Sequence, residues 1–535
     1  MHRPVLDFIM AFNSVLLLLS VCSASAFAQV QTQADLNKMA TGLIVKWNVL
    51  TNTKQYGTFE AEVTLENKAA DFNLTYGQWE IHFDCVFRIE PELTGIRGNI
   101  EVELKGQSLI LGHLQGTHFY FKPTTSFITL PTGAARKIKL HIGDYSVART
   151  DSILNWYITF PNLEPVVIAS TTGESLSFVA PRSEIQQWKR FDSDEYNPYT
   201  PQVRYERNSI TDPSYKSEIR VIPNLASIVL NNPADPIKLA VTNSWKVTYV
   251  GQLDKEASYL ASSLGLQPAS NGNSGQSVIH LRLGDVALSD NGITKNSSDI
   301  YSITVNSTSS QIDIVGQGPS GVFYGAVTLL SLVDENRLVP ECVINDGPRF
   351  EYRGLMLDIA RSFHPKEEIL KLIEIMSSYK LNKLHLHLSD DEGWRIEIPS
   401  LPELTQLGSQ RCHDPSETIC MMPQLGSGPD NSTRYSSGFL TTGDYIEILK
   451  KANDRHVTVI PEIDMPGKGR SAILSMKLRD KKGNGGINTT LTEEGDQSEY
   501  TSPQMFSDDA INPCLQSSYN FINIIMDELI SLHNQ

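Results

Sequence analysis

Cysteine, proline and glycine are all scarce in this chain, at 6, 27 and 35 of 535 residues. Proline and glycine together stay far below the roughly one quarter that marks low-complexity or collagen-like sequences. With 40% apolar, 8% aromatic and 20% charged residues, the composition is that of an ordered globular protein. Basic residues are outnumbered, 45 Lys and Arg against 61 Asp and Glu, for a net charge of −16. No basic stripe is available to neutralise phosphates, so nucleic acid and anionic membranes are not expected partners. Long apolar runs are also missing. The longest, Val15 to Val21, falls short of the ~20 residues that span a bilayer, and no transmembrane segment is expected. At about 150 residues per domain the length implies three or four domains.

What is present begins with a leader. His2 and Arg3 precede the apolar stretch around Val15–Leu19, and small residues then lead to Ala26-Phe27-Ala28, the A-x-A pattern of a secretory cleavage site. Residues 1–28 are therefore expected to be a signal peptide, and the protein to be secreted, extracellular or in the lysosomal lumen. Its removal takes Cys22 and leaves Cys85, Cys342, Cys412, Cys420 and Cys514. In an oxidising compartment disulfides persist. Cys412 and Cys420 lie in a Pro-, Ser- and Gly-bearing stretch, where a bridge would close a short loop and stabilise by roughly 2–3 kcal/mol. An odd count implies a free thiol, an intermolecular bond or a partner cysteine outside the chain. Sequons at Asn73, Asn296, Asn306, Asn431 and Asn488 fit a glycoprotein.

Period-two patterning runs from about 41 to 170, as in Trp79-Glu80-Ile81-His82-Phe83 and Lys137–Ile142, and reads as an antiparallel β-sandwich. Strand aromatics usually fill cores, and a sugar-binding face is the alternative. The sandwich is placed at 29–195, with a Pro- and Tyr-bearing connector from Asp194 to Tyr205. A small α+β domain follows at 196–347, with a strand Val278–Leu283, a hairpin Tyr301–Asn306 with Gln311–Gly316, and a helix Gly321–Val333. From 348 the rhythm becomes strand, helix, strand, helix: Gly354–Ala360, Lys366–Lys380 opened by Pro365, Lys383–Leu388, Asp444–Asp454, Val457–Ile463, Arg470–Leu478 and Ser518–His533. Such alternation argues a parallel sheet, and here a (β/α)8 TIM barrel. Residues 353–535 number 183, whereas a whole barrel usually takes ~250. Only three strands are convincing, so an incomplete barrel with an exposed strand edge and apolar face is expected.

Working residues of such barrels sit at the C-terminal ends of strands. Here those ends carry Asp358 and Arg361, then Ser389-Asp390-Asp391-Glu392-Gly393-Trp394, then Pro461-Glu462-Ile463-Asp464-Met465-Pro466-Gly467-Lys468. Arginine, paired carboxylates and Trp on one rim suit a neutral sugar, with bidentate bonds to hydroxyls and an apolar platform for the ring. His385 and His387 point to one side of a strand, as in metal-dependent hydrolase barrels. No later residues complete such a site, and two hydrogen-bonded core imidazoles fit as well. No metal and no cofactor is expected.

The phrases Tyr352–His364, Leu381–Arg395 and Val459–Gly467 resemble the family 20 glycoside hydrolases, in the β-N-acetylhexosaminidase and chitobiase branch. The sandwich, the connector with Tyr199-Thr200-Pro201, Arg204 and Tyr205, and the α+β domain resemble the layout of chitobiases. The resemblance implies an exo-hydrolase that removes terminal N-acetylglucosamine or N-acetylgalactosamine with retention. The substrate's own acetamido oxygen attacks the anomeric carbon, an Asp orients that group, and the adjacent Glu protonates the leaving oxygen. It implies that Arg361 holds the hydroxyls of the terminal sugar and that Asp390 is a carboxylate coupled through a His to the acid; together with Trp394 of the rim these are the expected substrate-binding residues, and Asp464 and Lys468 are the supporting ones. N-acetylhexosamine-containing oligosaccharides are the expected partners.

Two features depart from the family. Its Asp-Glu pair follows a His/Asn-x-Gly-x phrase, which none of Asp194-Glu195, Asp334-Glu335, Asp391-Glu392 or Asp527-Glu528 does. Asp527 and Glu528 are expected on the solvated face of the last helix, so no catalytic acid is assigned. Lys468 stands where the family has a His, the residue that passes protons near neutral pH. The chain reads as an inactive N-terminal piece of a hexosaminidase, with a non-catalytic secreted sugar-binding protein as the alternative.

Overall fold

In the computed structural model the described residues are 30–534 apart from 91–99, 196–200, 209–220, 234, 268–269, 273–275, 289–296, 434, 484–485, 497–501 and 503–509. The expected signal peptide and the sequon at Asn296 lie outside them. The N-terminal unit is two packed antiparallel sheets. One has the order Leu43–Gln55, Thr58–Asn67, Ala135–Gly143, Ile89–Glu90, and the other the order Val166–Val167, Leu154–Thr159, Glu80–Asp84, His118–Pro123, Leu109–Gln115, Ile100–Leu104. Alternation decides which side each residue faces. Trp47, Phe59, Trp79, Phe83, Phe121 and Trp156 all turn inward and form the core, so these strand aromatics fill the sandwich and do not line a sugar-binding face.

The second unit is a seven-stranded mixed sheet, with strand order Ser227–Leu230, Cys342–Asp346, Tyr301–Asn306, Gln311–Gly316, Val278–Leu283, Lys246–Tyr249, Ser270–Asn271. Helices Asp254–Ser263 and Pro319–Leu332 bury Leu260, Phe323 and Leu329 in its core. Between the two units the connector contains a short helix, Pro201–Arg207.

The third unit has Lys383–Asp390 between Gly354–Asp358 and Thr458–Ile463, all parallel, with Gly393–Trp394 folding back antiparallel on Ser389 and Asp390. Helices Lys366–Ser378, Thr442–Asn453, Arg470–Lys482 and Gln516–His533 pack beside this sheet. Each presents apolar residues at helical spacing, such as Ile369, Ile373 and Met376, or Phe521, Ile525 and Leu529. Thr441 and Asp444 form a reciprocal capping box that starts the second of these helices. Gly483, at φ +63°, ends the third in the left-handed conformation glycine tolerates best. The opposite face of the sheet is open. Met356 and Ile460 are exposed there, Met356 by 49%, and Leu355 is exposed on the other face of the same edge strand, although strands buried on both faces would hide such residues.

Candidate active site

Asp358 closes the first parallel strand and folds the chain after it. Its Oδ1 accepts the backbone N–H of Ala360 (2.9 Å) and of Arg361 (3.1 Å), a local turn that throws the Arg361 side chain across the sheet ends. There the guanidinium meets three carboxylates: Nη1 donates to Asp358 Oδ2 at 2.7 Å, Nε donates to Glu392 Oε2 at 2.9 Å, and Nη2 pairs with Asp390 Oδ2 at 2.7 Å. The Arg361 side chain stays 21% exposed, whereas Asp390 and Glu392 are buried. Burial acts to lower the Arg361 pKa, but Glu392, Asp390 and Asp358 outweigh it and raise it. Burial also pushes the Glu392 carboxyl upward, reinforced by the neighbouring Asp390 charge.

Asp390 is the hub. Burial favours its neutral form, yet His387, Arg361, the Asp391 N–H and Lys468 together bring its pKa below the usual value. His387 Nε2 lies 2.8 Å from Asp390 Oδ2, and its Nδ1 lies 2.9 Å from Glu462 Oε2. The second contact is an ion pair whose angle is too poor for a hydrogen bond. Burial would lower the His387 pKa, but carboxylates at both ring nitrogens raise it to about 9. His387 is therefore an imidazolium at neutral pH. His385 also reaches Glu462 Oε2, at 2.7 Å. His387, Glu462 and Asp464 bring ligand-type atoms within 4.8 Å of one another, so two later-strand carboxylates do stand beside this imidazole, although the sequence reading set none there.

Two buried arginines fix the loops behind this cluster. Arg411 donates to the carbonyls of Glu392 (2.8 Å), Ala360 (3.1 Å) and Arg361 (2.8 Å), and Arg395 donates to those of Ala360, Ser409, Ser436 and Gly438. Backbone carbonyls are the partners that let a guanidinium be buried. Arg411 immediately precedes Cys412, whose disulfide with Cys420 is formed. Cys85 and Cys342 are buried free thiols, and Cys514 is exposed.

Of the residues singled out from sequence, Arg361, Asp390, Asp464 and Lys468 come together. Lys468 Nζ is 3.8 Å from Asp390 Oδ1, and the Asp464 N–H donates to Ser389 Oγ at 3.1 Å. Burial raises the Asp464 pKa, with Asp390 adding to the effect. Two expectations need correction. Trp394 is not a platform on the rim: it is 1% exposed, sits in the core against Phe521, and donates its indole N–H to Ile396 O at 2.7 Å. Asp390 is fully buried and reaches a ligand only through Arg361 and its other partners. Glu462 was placed at a strand end without a role, and Arg395 and Arg411 were missed as site residues; Arg395 ends the second phrase, whereas Arg411 lies outside the phrases, next to Cys412. Glu528 accepts the Ser400 N–H at 3.2 Å, and Asp527 is exposed. Asn306, Asn431 and Asn488 are exposed, and Asn73 is half-buried.

The family described as "Glycosyl hydrolase family 20, catalytic domain" matches residues 350–535. "Glycosyl hydrolase family 20, domain 2" matches 218–347, and "Putative carbohydrate binding domain" matches 31–202. An N,N'-diacetylchitobiase of Vibrio harveyi is 31% identical over 558 aligned positions, covering 98% of this chain and 58% of that protein. A beta-hexosaminidase of Vibrio vulnificus is 32% identical, covering 89% and 55%. The crystal structure of the Vibrio harveyi exo beta-N-acetylglucosaminidase bound to N-acetylglucosamine superposes with a TM-score of 0.64 at 26% identity, covering 92% of this chain and 66% of that one. The chain thus spans little more than half the length of the curated relatives it matches. With all three of its units matched and the arginine–carboxylate cluster at the ends of its parallel strands, the chain belongs to glycosyl hydrolase family 20.

Proposed function

We propose that this chain is the N-terminal part of a secreted, exo-acting β-N-acetylhexosaminidase, and that residues 348–535 are the first part of its (β/α)8 barrel. The observation that carries the reading is Arg361, held by Asp358, Asp390 and Glu392 with its outer edge open to solvent. A guanidinium pinned in this way presents its remaining N–H groups to vicinal hydroxyls without losing side-chain entropy on binding. The substrate would be a terminal N-acetylglucosamine or N-acetylgalactosamine of a chito-oligosaccharide or glycan. Hydrolysis would proceed with retention through the substrate's acetamido group. Asp390 and Lys468 would form the inner end of a chain of charges leading to an acid that this chain does not supply. The exposed Met356 and Ile460, on the face away from the helices, are where the rest of the barrel would close over the sheet. The Cys412–Cys420 bridge and the leader support export, and N-terminal sequencing of the exported protein is expected to begin at Gln29.

The test measures N-acetylglucosamine binding by calorimetry and cleavage of a chromogenic N-acetylglucosaminide, both with the 535-residue chain. Binding without cleavage is expected, with binding lost in Arg361→Ala. Cleavage by this chain would sink the claim of an absent acid, and binding that survives Arg361→Ala would sink the assignment of the arginine. Lys468 in place of the family's His favours a second reading, a non-catalytic sugar-binding protein. An extended chain that carries the missing Asp-Glu and still fails to cleave would support it.

A further inference from the structure

Away from the candidate active site, three histidines meet where the sandwich touches the third unit. His82 and His118 stand on the outer face of the six-stranded sheet, His82 directly across from Tyr157 and His118 across from Asp84. Over them lies the loop from 411 to 426. His413 rests edge-on against His82, with ring centroids 4.9 Å apart, while Asp84 Oδ2 accepts the Gly426 N–H and Thr117 Oγ1 accepts the Leu425 N–H. His82 and His118 are fully buried. One ligand atom from each histidine lies within 4.8 Å of the others.

Proton bookkeeping says what this cluster is built for. His118 Nδ1 is 2.9 Å from Asp84 Oδ1. A carboxylate only accepts, so that nitrogen carries a proton, and in the neutral ring Nε2 is left with a lone pair. His82 Nε2 is 3.1 Å from Glu80 Oε2, which likewise leaves a lone pair on Nδ1. A Thr159 hydroxyl is also near this nitrogen, but farther off at 3.4 Å. The two bare nitrogens, His82 Nδ1 and His118 Nε2, face each other at 3.1 Å. Tyr157 Oη lies 3.0 Å from both His118 Nε2 and His413 Nδ1, and its single proton can satisfy only one of them. Facing lone pairs repel unless a proton or a metal ion lies between them. Two imidazole nitrogens bound at 2.0–2.1 Å to a tetrahedral ion stand about 3.3 Å apart, close to the separation found. Outer carboxylates on the second nitrogen of a histidine are the usual support of a metal ligand.

The geometry points to a zinc site formed by His82 Nδ1, His118 Nε2 and His413, with the fourth position beside the Tyr157 hydroxyl. An all-imidazole set suits Zn2+. Drawing His413 in asks for a movement of up to about 1.5 Å in its loop, since the ligand atoms lie within 4.8 Å of one another and those of a tetrahedral ion stand about 3.3 Å apart. Such an ion would clamp the sandwich to the loop that carries Arg411 and the Cys412–Cys420 bridge. Its chemistry is separate from sugar hydrolysis, and it does not depend on the proposed function.

The test is metal analysis and competition with a chromogenic chelator on the full chain. The result expected is one zinc per chain, a thermal midpoint that falls on chelation and recovers with added zinc, and a tetrahedral visible spectrum when cobalt replaces zinc. His413→Gln, on a loop and so safe for folding, should weaken zinc more than Asp84→Asn, an outer partner whose loss should weaken it by ~10–100-fold. His387→Gln should leave the stoichiometry unchanged. Absence of retained zinc together with an unmoved midpoint would overturn the site and put a proton, on Glu80 or between the two rings, where the ion was placed. Zinc that survives His413→Gln but is lost in His387→Gln would place the ion in the other cluster and overturn it equally.

Discussion

Among the described residues two buried histidine clusters stand out, and they differ in what lies beyond the second ring nitrogen. His387 has Asp390 at one nitrogen and Glu462 at the other, and these two carboxylates favour its positively charged form within the candidate-site network. His82 and His118 each have a carboxylate at one nitrogen only, and their other nitrogens face each other, with the Tyr157 hydroxyl beside that of His118. The residue type is the same, yet one arrangement stores charge and the other presents lone pairs. What a buried imidazole can do is thus set by its outer partners.

The sharpest way to break the first half of this comparison is to remove its other cation. Arg361→Ala leaves Asp358, Asp390 and Glu392 without their shared counter-charge, two of them buried. Stranding a buried charge typically costs about 3–5 kcal/mol. Denaturant unfolding should show a loss of that order, largely restored in Arg361→Lys, which keeps the charge but not the fork. An unchanged midpoint in Arg361→Ala would mean that the carboxylates are neutralised by something else.

Next in size is the charge on His387. Its folded pKa, about 9, lies above the unfolded value of about 6.5. The stabilisation is therefore fully present below about pH 6.5 and is lost as pH rises through about 9. It amounts to about 3 kcal/mol at most. The difference in unfolding free energy between the wild type and His387→Gln should shrink across that window. A difference that stays flat from about pH 6 to 10 would mean that the ring is not an imidazolium, and the contrast with His82 and His118 would collapse.

These clusters were unequally legible. The barrel phrases are local, and parallel strands place their ends on one rim, so Arg361, Asp390, Asp464 and Lys468 could be brought together from sequence. Trp394 could not be placed, because it lies on a two-residue return strand whose facing depends on the turn at Asp391 and Glu392. The return sends the indole inward against Phe521, on a helix more than a hundred residues later. His82, His118 and His413 carry no motif. Period two puts His82 on the face opposite Ile81 and Phe83, but only the docking of the 411–426 loop, a long-range event, reveals what covers that face.

The Cys412–Cys420 bridge links the two halves of the comparison, since Arg411 on one side of Cys412 supports the Arg361 loop and His413 on the other joins the histidine trio. Opening this short loop, as in the double variant Cys412→Ser with Cys420→Ser, should cost about 2–3 kcal/mol by the entropy released to the unfolded chain. Zinc retention should fall more than sugar binding, because Arg411 is buried and held by several carbonyls whereas His413 is half-buried at the edge of its loop. Equal losses in both would mean that the loop moves as one rigid piece.

The smallest effect is expected at Lys468, and it is the most informative about the charge chain. Its ammonium is 3.8 Å from Asp390 Oδ1, beyond hydrogen-bonding distance, with a side chain 22% exposed. Asp390 already has Arg361 and His387 as closer cations. A third, more distant and partly solvated charge adds little, of the order expected for exposed pairs, roughly 0–1 kcal/mol, and salt should screen it. Lys468→Ala should therefore lower stability by less than about 1 kcal/mol at low salt, less still at high salt, and leave the His387 titration near its wild-type position. A downward displacement of that titration would be the wrong sign, because removing a nearby cation can only make a neighbouring imidazolium easier to hold. An upward displacement well beyond this small energy would show that Lys468 is coupled to His387 through Asp390, in which case the lysine in place of histidine sets the charge of the whole network.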